Sequence, residues 1–261
     1  MLWYNPHMAK NWKDIVHKKG PSRLKDYTEI TVLLDRSGSM RSVQESMETA
    51  LMDFVRSHQE TPSTKFNLIQ FDDSDDREVV FMGVPISNVK QIRLDPRGNT
   101  PLNDAICKSI DLLGNRYSAM PESERPARVL FVIITDGQEN CSKQFRRSDV
   151  AYRTRVQQDA FKWQFIYLGA NQDTYKESQS YGIGWANTLK WSPNEQNIGG
   201  TFRSLNASTK SYIVGASASA APFSSLQREE SATDADLAKD SNPDLATRLK
   251  RYKITKSLTT T

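Results

Sequence analysis

Two near-continuous apolar stretches, ITVLLD ending at Asp35 and RVLFVIIT over 128–135, constrain this chain more than anything else in it. A strand that is apolar at every position, rather than at alternate ones, is covered on both faces, as in a parallel α/β sheet. The sequence between them has the other period. Residues 43–55 place Val43, Met47, Ala50, Leu51, Phe54 and Val55 on one helix face, and residues 101–113 do the same with Leu102, Ala105, Ile106, Ile110 and Leu113. KFNLIQFD (65–72) and EVVFMGV (78–84) flank the charged turn DSDDR and read as a hairpin. A charged helix follows at about 147–160, then the strand WQFIYLGA (163–170) and a short helix from about Asp173 to Tyr181. WANTLKW (185–191) reads as an edge strand, and Ser192-Pro193-Asn194-Glu195 as the start of a last helix with Ser192 as its N-cap. Strands alternating with helices predict an α/β fold in three layers. Its central sheet is mostly parallel, with helices on both faces and one antiparallel edge strand.

The organisation along the chain follows from composition. Residues 1–26 carry six Lys or Arg against two Asp and form a basic amino-terminal extension. The α/β domain is expected over 27–215. Beyond it GASASAAPFSS is small and polar, and residues 216–261 are expected to form a flexible tail, because ordering them costs backbone entropy with little burial to offset it. Two cysteines, Cys107 and Cys141, exclude a disulfide scaffold. The opening residues are interrupted by charge, and no apolar run approaches the ~20 residues of a membrane span. These observations predict a soluble cytoplasmic protein. A net charge of +4, concentrated at the ends, argues against a nucleic-acid reader.

The chemistry-bearing residues gather at three strand ends. Asp35-Arg36-Ser37-Gly38-Ser39 follows the first buried strand, Gly98-Asn99-Thr100-Pro101-Leu102 precedes a helix, and Thr135-Asp136-Gly137 follows the most apolar strand. In an open parallel sheet all three can lie outside the carboxyl ends of the strands, where ligands bind. Together they supply carboxylates and hydroxyls, the all-oxygen donor set of a hard divalent cation. This constellation resembles the von Willebrand factor type A domain and its metal-ion-dependent adhesion site, and in general appearance the small cytoplasmic members of bacteria and phages. The resemblance implies a metal site at Asp35, Ser37, Ser39, Thr100 and Asp136 holding Mg2+ or Mn2+. Ser37 and Ser39 would ligate directly, Thr100 directly or through water, and the two aspartates largely through water. Asn99 stands where many relatives have a second glycine.

The resemblance further implies a binding module rather than an enzyme, in which an Asp or Glu of a partner protein completes the metal shell. The alternative is a Mg2+-dependent hydrolase using the ion as Lewis acid, for which Glu139 is the one local candidate base. Other candidates are weaker. Asp72-Asp73-Ser74-Asp75-Asp76 begins like a calcium loop but has Arg77 where that loop needs glycine, so a solvated hairpin tip is expected. His7, His17 and His58 are expected at the surface. Cys107 is expected to be a packed side chain, Cys141 an unreactive one, and Asn171 and Asp173 helix-capping residues.

Overall fold

The computed structural model describes residues 27–239 apart from Pro62 and Gln172. The expected basic extension over 1–26 and the end of the expected tail, 240–261, lie outside the described residues, as do His7 and His17.

A six-stranded sheet runs through the centre in the order β3-β2-β1-β4-β5-β6. The strands are β1 (Thr28–Asp35), β2 (Thr64–Phe71), β3 (Glu78–Pro85), β4 (Arg128–Thr135), β5 (Gln164–Gly169) and β6 (Thr188–Lys190). All neighbours pair in parallel except β3, which runs antiparallel to β2 at one edge. The two apolar runs lie side by side at the centre, where β1 meets β4 from Thr28 opposite Arg128 to Leu34 opposite Ile134. Seven helices are described: α1 (Gln44–Ser57), α2 (Leu102–Ala119), α3 (Arg147–Phe161), α4 (Thr174–Ser180), α5 (Glu195–Ile213), α6 (Ser225–Ser231) and α7 (Asp234–Leu237).

Two cores result, one on each face of the sheet. Ile30, Val32 and Leu34 of β1 pack with Met47, Leu51 and Phe54 of α1 and with Ile198, Phe202 and Leu205 of α5. Leu33 faces the other way, with Ile106, Ile110 and Leu113 of α2, Val150 of α3 and Trp163 beyond it. Strand residues alternate between faces, and both faces are covered, so every position of β1 is buried. The expected three-layer architecture is the observed one.

The segment after 215 contributes to the fold. Phe223 and Ala220 are buried in the core on the α5 side. Arg228 of α6 is itself buried and donates to the carbonyls of Thr188 (2.6 Å) and Trp185 (2.8 Å), with its guanidinium 3.8 Å above the Trp185 ring. Part of the segment expected to form a tail therefore straps α5 to the short β6. Its few apolar residues and one arginine are spent on that contact. Ser192 belongs to the same junction. It does not cap α5, whose N-cap is Asn194, accepting from the Asn197 amide at 3.0 Å. The Ser192 hydroxyl instead donates to Asp236 and accepts from the Thr233 amide.

Candidate functional site

The three motif loops emerge at the carboxyl ends of β1 and β4 and just ahead of α2, and they meet. Asp35, the last residue of β1, is wholly buried. One of its carboxylate oxygens accepts from the Ser37 amide at 2.7 Å and the other from the Thr135 hydroxyl at 2.6 Å. Burial pushes the Asp35 carboxyl up to about 7, against the lowering effect of those two hydrogen bonds. The Ser37 and Ser39 hydroxyls lie 3.0 Å apart, and Ser39 donates to Asp136 at 2.7 Å. Burial raises the Asp136 carboxyl as well, and Ser39 opposes the rise. All five expected site residues are at this edge: Asp35, Ser37, Thr100 and Asp136 are buried, while Ser39 is exposed.

The loops are fastened to one another through their backbones. The Gly38 amide donates to the Gly98 carbonyl at 3.0 Å and the Arg97 amide to the Arg36 carbonyl at 2.8 Å. The Thr100 amide donates to the Asn140 side chain at 2.9 Å, and the Asn140 amide returns a bond to the Thr100 carbonyl at 3.2 Å. Gly98 adopts a φ of +65°, and a Cβ there would stand 1.9 Å from an Asp73 carboxylate oxygen. Asn99 also donates to Asp73, at 2.7 Å, so the departure from a second glycine serves to tie this loop to the hairpin turn.

Two features of this edge were not legible in the sequence. Asp73, Ser74 and Asp75 are exposed as expected of a solvated tip, but Asp72 is fully buried and pairs with the buried Arg36 at 2.6 Å and with Arg97 at 2.9 Å. Burial works to raise its pKa, but the Asp75 and Ser74 amides and the two guanidiniums together hold the carboxyl below the usual range. Glu139 is no spare base. It accepts from the amides of Asn103 (2.7 Å), Cys141 (3.0 Å) and Ser142 (2.7 Å) and from the Ser142 hydroxyl. Asp104 secures the next residues in the same way, accepting from the amides of Lys143, Gln144 and Phe145. A carboxylate holding an unpaired loop backbone leaves no sequence signal beyond its own letter. Cys141 is half-buried, and burial, with the nearby Glu139 charge, pushes its thiol up to about 11, which favours the protonated form over the nucleophilic thiolate. Asp173 caps α4 as expected, accepting from the Lys176 amide.

The expected metal is corrected by this geometry. Among the described residues no group of three or more His, Cys, Asp or Glu is placed to hold a metal ion. The cluster brings two carboxylates together; Ser39, expected as a ligand, bonds Asp136 and shares a hydrogen bond with Ser37, while Thr135 bonds Asp35. No Mg2+ or Mn2+ centre is evident among the described residues. The complete metal-ion-dependent adhesion site, the partner Asp or Glu docking on its ion and the metal-dependent hydrolase all fall with it.

The model of the von Willebrand factor type A domain family matches residues 29–182. Solved structures show the same architecture at low identity. The PilB minor pilin of Streptococcus sanguinis aligns with a TM-score of 0.53 at 14% identity, over 76% of this chain and 64% of that one. The pilus adhesin SpaC of Lactobacillus rhamnosus GG, in an open conformation, gives 0.51 at 11%, over 74% and 31%. Proximal thread matrix protein 1 of the mussel byssus gives 0.50 at 12%, over 69% and 47%. The chain thus spans less than two thirds of the length of each of these proteins. No curated protein matches the sequence. These similarities correct the expected cytoplasmic setting and the likeness to small cytoplasmic members: the similar structures are a pilin and an adhesin of pili. Among the described residues no helix is long and apolar enough to cross a membrane. The expectation of a binding protein rather than an enzyme agrees with what these similar proteins are, a pilin, a pilus adhesin and a thread matrix protein.

Proposed function

The chain belongs to the von Willebrand factor type A domain family, and from that premise we propose that it is a protein-binding module whose docking face is the fastened loop edge, contacting its partner directly through side chains. The observation that carries this reading is the cross-linking of three loops from separate parts of the sequence into one rigid edge. A face already held in place loses little conformational freedom on association, so more of its contact energy shows as affinity. Asp35, Ser37, Ser39, Thr100 and Asp136 are its centre. The buried members position the loops, Ser39 holds Asp136 at the surface, and the exposed Gln138 and Asn140 beside them present hydrogen-bonding groups to a partner. The full use of Glu139 as a loop anchor favours binding over hydrolysis. That one protein of similar fold is a pilus adhesin supports the same reading.

The test is capture of partners on the immobilised chain and on a Ser39→Ala/Gln138→Ala variant, with Arg56→Ala/Asp53→Ala on α1 as control. Partners held by the wild type and the control but lost from the loop-face variant support the proposal. Loss from the α1 variant alone overturns it. Capture is expected to survive EDTA, and its loss there would show that the contact runs through an ion.

A further inference from the structure

Between α2 and α3, at the end of the sheet opposite the loop edge, lies a cleft of about 440 Å3. That volume is in the range of small-molecule sites. Its floor is the buried Ile110, Tyr117, Val129 and Trp163, the last ring standing edge-on to Tyr117 at 5.7 Å between centroids. Phe161 stands on the rim, 51% exposed. Two arginines line the cleft and differ in their partners. Arg153 is matched by Asp111 through bonds of 2.9 and 3.1 Å. Arg125 donates to two carbonyls, those of Met120 (3.1 Å) and Ser118 (3.2 Å), so its charge meets no carboxylate in those bonds. The remaining acid of the lining, Glu122, is exposed.

Gly114 supplies an independent sign. It lies inside α2, where glycine is disfavoured relative to alanine. A Cβ added there would meet only the Gln157 amide nitrogen, at an ordinary 3.8 Å. Close helix packing therefore does not demand glycine at 114. Gly114 lines the cleft beside Gln157, so a side chain there would narrow it. We propose that this cleft binds a small amphipathic anion, its aromatic or branched body resting on Tyr117 and Trp163 and its carboxylate or sulfonate against Arg125.

The probe is 8-anilinonaphthalene-1-sulfonate, titrated into the full chain by fluorescence and by NMR of the Trp163 indole and Gly114 amide, beside the neutral N-phenyl-1-naphthylamine. The expected result is one sulfonate per chain with both signals shifted. Arg125→Gln weakens the sulfonate by about tenfold, as loss of one charge-assisted contact implies, and leaves the neutral compound unchanged. Gly114→Leu abolishes both. Gly114→Ala, a helix-favouring change with room for its Cβ, weakens both and decides the matter should the leucine variant not fold. Failure of the sulfonate to bind, binding that leaves the two signals in place, or affinities unchanged by Gly114→Ala and Arg125→Gln overturn the proposal.

Discussion

His58 shows how much a single side chain can be governed by its surroundings. It was expected at the surface and is 2% exposed, edge-on to Phe54 at the end of α1. Burial, helped by the positive charge of Lys210, lowers its pKa from 6.5 to about 4, although the Asn206 side chain beside it favours the protonated ring and opposes the shift. The imidazole is thus neutral in the folded protein and protonates first in the unfolded chain. Its contribution to stability is complete above about pH 6.5 and is lost as the pH falls toward about 4, up to about 3 kcal/mol. Urea titrations at pH 7.5 and pH 4 are expected to show that loss in the wild type and not in His58→Leu; equal losses would place the cause elsewhere. Asp72 makes the same point with charge. Asp72→Ala leaves the buried Arg36 paired only with the half-exposed Glu78 and is expected to cost about 3–5 kcal/mol, whereas Asp73→Ala, at an exposed neighbour, changes stability by under about 1 kcal/mol.

At the scale of elements, the glycine before Thr100 is the point of highest constraint on the loop edge. Gly98→Ala meets both a positive φ and the Asp73 carboxylate, and about 1–3 kcal/mol of destabilisation is expected. Adding Asp73→Ala removes the clash but not the backbone cost, so a denaturation cycle over the two positions is expected to show coupling; strict additivity would mean that Asp73 simply moves aside. The strands and helices around this edge could be read in the sequence because central parallel strands are apolar at every position and amphipathic helices repeat on one face. The positions of Asp35, Thr100 and Asp136 were legible for the same reason, each lying at the end of an element already recognised. Whether their oxygens would be available was not. That depends on Thr135 reaching Asp35 and Ser39 reaching Asp136, contacts between residues 100 and 97 positions apart. Arg228 was illegible for a related reason: one cation in a polar segment carries no sign of the two carbonyls and the indole that bury it.

For the whole molecule, the strap after α5 is the natural place to test how the parts depend on each other. Arg228→Met removes two hydrogen bonds and the stacking on Trp185. Limited proteolysis is expected to open the segment between α5 and α6 first in this variant, leaving a resistant fragment that keeps the sheet; cutting inside the α2 or α3 region at the same rate would show that the strap holds the entire domain. A different dependence follows from the central pairing of β1 with β4. Their partners are separated by 100 residues, as with the bond from Thr135 to Asp35. Closing so long a loop is slow compared with forming helices. Ser39 and Asp136 come within reach only after it closes. A chain still on the ribosome, or one refolding, would hold its helices well before it could recognise anything. In stopped-flow refolding, partner capture should therefore recover in the last phase, making the recognition edge a built-in check that folding is finished.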